Sequence, residues 1–314
     1  MKPLHATILF SLLSGVAIAA DVPSISGDTT IRGRAGPSDI VITTTSRLAG
    51  AIHSLTWNGR EFIDSVDHGR QLQSASNFDC GRDMVAETFN PTEAGSRADH
   101  VGPKSSSRLL RLRAKGNELE TQSQMAFWLA PGEKSLGHLA RNDRVLSEHL
   151  LTKRVRIGYE ELAHAIQYDV TFTVPSGEGH KYAQFEALTG YMPPEFEKFW
   201  RFKRSTGALE PLDDGPGEQS DPVVFSVAAG THAMGVYSPE HPSPGFQHAG
   251  YGRFRFGPER VVKWNCVFRV SDPVNLKPGD YSYTMYIAVG TLEDVRAALV
   301  KIRTAGPGAP PASH

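Results

Sequence analysis

Regular alternation of apolar and polar residues is the feature of this sequence that most constrains its fold. Between residues 166 and 174, Ile, Tyr, Val, Phe and Val alternate with Gln, Asp, Thr and Thr, and from Val262 to Val270 every second residue is apolar. A period of two is typical of strands that bury one face. The same pattern predicts strands at 51–57, 60–63, 154–159, 182–188, 223–228, 233–238 and 281–289. The sequence therefore predicts an all-β fold of antiparallel sheets packed on a common core.

Turn and capping signals support this assignment. The pair Asn58-Gly59 separates two of the predicted strands, and both residue types accept the positive φ angles of a tight hairpin turn. A short C-terminal helix is predicted from Leu292 to Arg303, with Thr291 as N-cap and Asp294 completing a capping box. The 30 glycines and 21 prolines of the 314-residue chain favour many turns over a helical bundle. We expect a single domain over 21–303, with 304–314 as a disordered Gly/Pro-rich tail.

The N-terminus has the features of an export signal. Lys2 precedes an apolar segment, Ile8 to Ala17, which is too short to span a bilayer, and the small residues Ala17 to Ala20 suit a cleavage site. We therefore expect residues 1–20 to be a signal peptide and the protein to be periplasmic or secreted. No later apolar run predicts stable membrane insertion.

Charge and cysteine content limit the partners and cofactors. The formal net charge is −1, so the electrostatic attraction that supports nucleic-acid binding is missing. Cys80 and Cys266 are the only cysteines, and the sequence leaves open whether they form a disulfide or stay as thiols. They are too few for a thiolate zinc site. No cofactor is required by any motif, a calcium site made of loop oxygens stays open, and the oligomeric state is not specified.

The irregular stretch from Asp64 to His100 is dense in polar and reactive side chains. Arg70, Gln71 and Asn90 offer hydrogen bonds to a hydroxyl-rich ligand, while Glu93 lies between Pro91 and Gly95, which constrain the backbone. Glu93 and His100 have the residue types of a base and an acid. Loops on a rigid β scaffold often carry binding and catalysis, although an ordinary solvated loop would have a similar composition.

Three candidates lie outside this stretch. His149 precedes the basic segment Lys153-Arg154-Val155-Arg156 and could transfer a proton, or could be a polar residue at a strand end. Tyr168 is a candidate ligand-binding phenol within an alternating strand. Trp200 lies in a less regular context than the core-type Trp57 and could stack on a sugar ring.

Two segments and the strand pattern together carry a family resemblance. Residues 48–62 read LAGAIHSLTWNGREF, residues 276–281 read LKPGDY, and predicted strands fill the chain between them. These features resemble the galactose-mutarotase-like β-supersandwich superfamily. The resemblance implies that fold and an action on carbohydrate, as in aldose 1-epimerases, hexose-phosphate epimerases, polysaccharide lyases and some glycosidases. It also implies a site on a concave sheet face, where the epimerases use a His acid and a Glu base. The epimerase His-Pro motif and a Glu in the last strands have no match here, which argues against simple mutarotation.

We therefore expect an exported carbohydrate-active enzyme acting on an oligo- or polysaccharide, of lyase or glycosidase type. A lyase needs cations or amides to offset a uronate carboxylate, whereas a glycosidase needs two carboxylates. A non-catalytic carbohydrate-binding protein of the cell envelope is the alternative, and a purely structural envelope protein ranks last because adhesive repeats are absent. Catalytic roles are expected for Glu93, His100 and His149, and substrate-binding roles for Arg70, Gln71, Asn90, Tyr168 and Trp200.

Overall fold

The computed structural model describes residues 25–239, 249–271 and 276–305. The predicted signal peptide and residues 306–314 of the predicted tail lie outside these ranges. Within them, no helix has the length and apolar character that crossing a membrane requires.

The described residues form 21 strands and one α-helix, joined by turns and two short 3₁₀ segments. The strands, in chain order, are β1 Thr29–Ala35, β2 Ser38–Thr44, β3 Ile52–Trp57, β4 Arg60–Glu61, β5 Leu72–Phe78, β6 Pro91–Thr92, β7 Arg108–Lys115, β8 Glu118–Phe127, β9 Lys134–Ser135, β10 His138–Leu139, β11 Leu146–Tyr159, β12 Leu162–Val174, β13 Tyr182–Met192, β14 Lys198–Phe202, β15 Leu209–Pro211, β16 Gly217–Gln219, β17 Val223–Ser226, β18 Ala233–Tyr237, β19 Gly250–Phe256, β20 Val261–Ser271 and β21 Gly279–Gly290. The helix, α1, spans Leu292–Ala305.

Nineteen of the strands are connected through antiparallel pairing, and β9 and β10 form a separate hairpin. In one run, here called sheet A, the order is β1–β2–β3–β5–β13–β20–β19–β16. In the other, sheet B, it is β7–β8–β11–β12–β21–β18–β17–β14–β15. The two-residue strand β6 pairs with β5 of sheet A and β8 of sheet B. The expected all-β antiparallel architecture is therefore confirmed.

The two sheets face each other across one large apolar core. Phe185 of sheet A contacts Phe172 of sheet B with ring centroids 4.9 Å apart, and Phe268 stacks on Tyr283 at 4.3 Å. These residues occupy the inward positions of their strands, as the alternation predicts. Outward positions of the same strands are therefore available to face a ligand or solvent.

The predicted turn and helix cap are confirmed. Asn58 and Gly59 have φ angles of 48° and 74°, and β3 pairs with β4 across them. At the helix start, the Asp294 amide donates to Thr291 Oγ1 and the Thr291 amide donates to Asp294 Oδ2. The helix continues to Ala305, two residues beyond the predicted end, and packs against outward residues of sheet B.

Both cysteines are free thiols, which settles the alternative that the sequence left open. Cys266 is buried within the core, where burial raises the pKa of its thiol. Cys80 is half-buried, and burial raises the pKa of its thiol to about 12.

Candidate functional site

The outer face of sheet A gathers polar and aromatic side chains from four neighbouring strands. Register places Thr189 of β13 beside Gln73 of β5 on one side and Asn265 of β20 on the other. In the next row, Lys263 of β20 lies between Tyr191 of β13 and Phe254 of β19. All of these residues occupy outward positions because their chain neighbours, such as Trp264, point into the core. We call this set, together with Glu186 of β13, the Glu186–Lys263 face.

A partly buried ion pair lies at its centre. Lys263 Nζ donates to Glu186 Oε2 at 3.2 Å, and Thr189 Oγ1 donates to the same oxygen at 2.9 Å. Burial alone would raise the pKa of Glu186, but Lys263 and the Thr189 hydroxyl hold it below its ordinary value. Burial would likewise lower the pKa of Lys263, but Glu186 and Tyr191 keep it above its ordinary value. Both groups are therefore charged at neutral pH.

A β-bulge in β13 brings Glu186 within reach of Lys263. The pairing of β13 with both β5 and β20 shifts register just after Glu186. Such bulges re-aim side chains and are frequent next to functional sites. Here the extra residue lies just after Glu186, whose carboxylate contacts Thr189 and Lys263.

Aromatic rings flank the ammonium group. Lys263 Nζ lies 5.3 Å from the ring centroid of Tyr191 and 5.4 Å from that of Phe254. Phe254 in turn stacks on Phe256, with centroids 6.1 Å apart and planes inclined by 7°, and Phe256 is exposed. Burial raises the pKa of the Tyr191 phenol, so this group stays protonated at neutral pH.

Arg70 and Gln71, two of the predicted binding residues, lie at the margin of this face. The backbone amide of Tyr191 donates to the Gln71 carbonyl oxygen, which fixes the segment beside β13. Arg70 Nε and Nη2 donate to Asp67 Oδ2 at 3.0 and 2.9 Å, and Asp64 lies 3.9 Å away. The side-chain amide of Gln71 donates to the Asp67 carbonyl oxygen.

Two glutamine side chains on the Glu186–Lys263 side of β5 have buried amide oxygens without a hydrogen-bond partner among the described residues. Gln71 Oε1 and Gln73 Oε1 are inaccessible to solvent and form no hydrogen bond within the described part of the chain. The Gln73 amide nitrogen is anchored by a 2.9 Å bond to the Gly69 carbonyl. A buried acceptor without a donor is costly. These oxygens are therefore groups that a ligand or an ordered water can satisfy.

Glu93 and Tyr168 lie between the sheets. Lys153 Nζ donates to Glu93 Oε1, and the Ser74 amide donates to Glu93 Oε2 at 3.1 Å. The Ser74 hydroxyl lies 3.1 Å from the Tyr168 hydroxyl, and burial raises the pKa of Tyr168 well above its ordinary value. The Glu93 and Lys153 side chains are 2% and 0% exposed. In this conformation a polysaccharide cannot reach either Glu93 or Tyr168.

The other predicted residues lie apart from one another. His149 is buried, with Nε2 2.8 Å from Glu178 Oε2, and Asn90 donates to the Ser76 carbonyl at 2.6 Å. His100 is exposed at the end of a 3₁₀ turn. Trp200 donates to Ser226 Oγ at 3.0 Å and packs near α1 on sheet B.

The eight predicted residues do not converge on one cleft. Gln71 precedes β5, whereas His149 contacts Phe78 at the other end of that strand, with ring centroids 4.9 Å apart. The seven residues of β5 span about 20 Å, so Gln71 and His149 lie far apart. Only Arg70 and Gln71 lie beside the Glu186–Lys263 face, and the catalytic and binding roles expected for the eight residues stay predictions. Sequence reasoning missed Glu186, Tyr191 and Lys263. Glu186 and Lys263 alternate with apolar residues in predicted strands, whereas Tyr191 lies beyond the predicted end of its strand at residue 188.

Sheet B carries a second polar surface. An open cleft of about 430 Å³ lies on the outer side of β7, β8, β11 and β12, lined among others by Arg113, Glu120, Arg154 and Asp169. Asp169 accepts from Thr284 Oγ1 at 2.7 Å, and burial raises its pKa. The lining of this cleft contains no aromatic ring, which distinguishes the cleft from the Glu186–Lys263 face on sheet A.

Comparisons with known proteins give fold likenesses alone. No protein-family model matches the chain, and no curated protein does. Solved structures that resemble it include a candidate aldose 1-epimerase from Klebsiella pneumoniae (9% identity, TM-score 0.45, 90% of this chain and 92% of that one). Others are an α-galactosidase from Lactobacillus brevis (8%, 0.43, 86% and 40%) and a polysaccharide lyase (10%, 0.44, 85% and 35%). The chain thus spans well under half of the galactosidase and of the lyase. At these identities and TM-scores, their activities are not transferred to this chain.

Proposed function

We propose that this protein is an exported carbohydrate-active enzyme whose substrate binds on the Glu186–Lys263 face. The observation that carries the proposal is a charged, partly buried Glu–Lys pair flanked by aromatic rings and by unpartnered amide oxygens on one sheet face. Carbohydrates present hydroxyl groups around a ring with apolar C–H faces. Such a ligand needs these two kinds of surface side by side.

The binding contacts follow from the chemistry of each group. The ring of Phe254, which stacks on Phe256, offers a platform for a sugar ring. The side-chain oxygens of Gln71 and Gln73 are shielded from solvent in this conformation, so they accept hydrogen bonds from ligand hydroxyl groups only after neighbouring side chains move. Lys263 can donate to a hydroxyl or carboxylate without breaking its contact with Glu186, because an ammonium group has three donors.

Elimination from a uronic-acid residue fits the face better than hydrolysis. A glycosidase uses two carboxylates on either side of the bond, and Glu186 is the one central carboxylate that the described part of this face offers. A lyase instead needs a cation to offset the uronate carboxylate, a base for the α-proton and an acid for the leaving oxygen. Lys263, Glu186 and the protonated Tyr191 have these three chemistries.

The second candidate is a carbohydrate-binding protein without turnover. The observation that favours it is the ion pair itself, because Lys263 and Thr189 already occupy Glu186 Oε2 and reduce its basicity. Both candidates require the same face, so the experiment must separate binding from product formation.

The test is incubation of the mature protein with a panel of uronic-acid polysaccharides while ultraviolet absorbance of unsaturated ends is followed. We expect turnover on at least one member, and a loss of about 100-fold or more for Glu186→Gln and for Tyr191→Phe. The matched control is Arg154→Gln in the cleft on sheet B, which should keep the wild-type rate.

Each alternative outcome has a defined meaning. Saturable binding without product supports the non-catalytic candidate. Reducing sugar released without unsaturated ends contradicts the lyase assignment. Loss of binding in Arg154→Gln, with Glu186→Gln unaffected, would place the ligand on sheet B and refute the proposed face.

Export is part of the proposal and rests on the sequence of residues 1–20. Its test is fractionation of cells that express the full chain, followed by N-terminal sequencing of the exported product. We expect a mature N-terminus after Ala19 or Ala20. An uncleaved protein retained in the cytoplasm would contradict this prediction.

A further inference from the structure

Three ligand-type side chains converge beside the far end of β5, away from the Glu186–Lys263 face. His149 lies in β11, and Glu178 and His180 lie in the connection from β12 to β13. The Nε2 atoms of His149 and His180 each lie 2.8 Å from Glu178 Oε2. One ligand atom from each of the three residues falls within 4.8 Å of the others.

The two imidazoles are held in a closed, apolar setting. The His149 and His180 side chains are each 2% exposed, and the Phe78 ring lies 4.9 and 4.6 Å from them between centroids. Phe89 contacts His180 from another side at 5.4 Å. Glu178 is 23% exposed and connects the cluster to solvent. Such a shell fixes ring orientation while leaving one route of entry.

The ring nitrogen of His180 that does not face Glu178 lacks a hydrogen-bond partner among the described residues. This atom, Nδ1, is buried. Its nearest carboxylate oxygen, Asp79 Oδ1, is 4.0 Å away and accepts from the Lys181 amide at 3.0 Å. When a metal takes the Nε2 atom of a histidine, Nδ1 carries the proton and donates it to a carboxylate or carbonyl. Asp79 is the nearest carboxylate for this role, and its oxygen must approach Nδ1 by about 1 Å to accept the proton.

We propose that His149, Glu178 and His180 bind one Zn²⁺ ion through His149 Nε2, His180 Nε2 and a Glu178 carboxylate oxygen. Two imidazoles and one carboxylate form a ligand set that Zn²⁺ accepts, with water completing a tetrahedron. Asp79 orients His180 from behind. The ion ties β11 to the β12–β13 connection next to the end of β5, so it stabilises this end of the sandwich. This site is separate from the proposed function and does not rest on it.

The experiment titrates the chelator-treated full chain, without an affinity tag, with Zn²⁺ in a calorimeter. We expect one ion per chain and a rise in melting temperature on adding the ion. His180→Asn should weaken binding by at least 100-fold, and Asp79→Asn by about 10- to 100-fold. The control His138→Asn removes an exposed histidine elsewhere and should leave the affinity unchanged.

Cobalt provides a readout that does not depend on stability. Co²⁺ in a tetrahedral N₂O site gives visible absorption bands that Glu178→Gln should shift and His180→Asn should abolish. Near-ultraviolet circular dichroism of each variant in chelator shows that the fold is kept before titration. Should a variant fail to fold, Co²⁺ spectra of the wild type and Glu178→Gln still decide the question.

Two results would overturn the proposal. One is the absence of Zn²⁺ binding by the folded wild-type chain. The other is equal stoichiometry and affinity in wild type, His180→Asn and Glu178→Gln, because the ion would then bind elsewhere.

Discussion

Replacing Lys153 by methionine should destabilise the protein strongly, because it removes the buried partner of Glu93. Methionine keeps the unbranched shape of the side chain. The Glu93 carboxylate would then remain between the sheets with the Ser74 amide, 3.1 Å away, as its sole remaining donor among the described contacts. Breaking a fully buried ion pair from one side costs about 3–5 kcal/mol. In a domain of this size that corresponds to a fall in melting temperature of about 10 °C.

The assay is urea unfolding followed by circular dichroism, with wild type, Lys153→Met, Glu93→Gln and the double variant compared at constant m-value. The double variant should recover most of the lost free energy, because a neutral amide needs no counter-ion. Lys115→Met, at an exposed position of β7, should change the free energy of unfolding by less than about 0.5 kcal/mol. The reasoning is refuted by a loss below about 1 kcal/mol in Lys153→Met, or by additive effects in the double variant.

Three shorter predictions address packing, titration and thiols. Gly190→Ala should cost about 1–3 kcal/mol in urea unfolding, because an added Cβ would lie 2.4 Å from the Trp264 ring; an unchanged midpoint would contradict this contact. The pKa of Glu186 is lowered from 4.5, so its ionisation stabilises the fold above that pH, and the stabilisation is lost as pH falls through the lower folded pKa. The free-energy difference between wild type and Glu186→Gln should therefore be largest above pH 4.5 and shrink as the pH falls below it. Cys80 and Cys266 should both react with a thiol reagent once urea unfolds the chain and much more slowly before, whereas an absence of thiols after unfolding would indicate a disulfide.

Nine of the 21 described strands were predicted from the sequence, because each of these reports its buried face locally. Strand β5 was not among them, since it lies in the stretch from Asp64 to His100 that was treated as irregular. In β12 the alternation runs from Ile166 to Val174, and in β20 every second residue from Val262 to Val270 is apolar. The Asn58-Gly59 turn and the Thr291 cap are also local signals. The order of strands in the sheets is not local. Sheet A places β13 between β5 and β20 although long stretches of chain separate these three strands. The proximity of Gln73, Glu186 and Lys263 could therefore not be read from spacing.

The burial of Glu93 was not foreseen because a loop carboxylate looks exposed until its partner is known. Lys153 carried the signal that was overlooked. It occupies an inward position of β11, between Leu151 and Val155, and a lysine there requires a buried counter-charge. The sequence thus indicated that a buried carboxylate must lie near Lys153, but it did not indicate which carboxylate.

The histidine cluster was also partly accessible from the sequence. The hairpin of β11 and β12 pairs Leu150 with Thr173, so the register carries His149 toward the segment that follows β12. Glu178 and His180 lie within a few residues of that point. A search for ligand-type residues at the open end of the predicted hairpin, opposite its turn, would have joined them to His149.

Alternation along β5 connects the interior to the proposed ligand face. Gln73 points outward to the face, while the next residue, Ser74, points inward and donates from its amide to Glu93 and from its hydroxyl to the Ala187 carbonyl of β13. Through Ser74, the Glu93–Lys153 pair therefore fixes the backbone of β5 that carries Gln73. The same serine contacts β13 at Ala187, in the bulge next to Glu186. Because a shift of this backbone would misplace both outward side chains, Lys153→Met should weaken ligand binding even at temperatures where the variant stays folded. Unchanged affinity in the folded variant would show that the inner network supports stability alone.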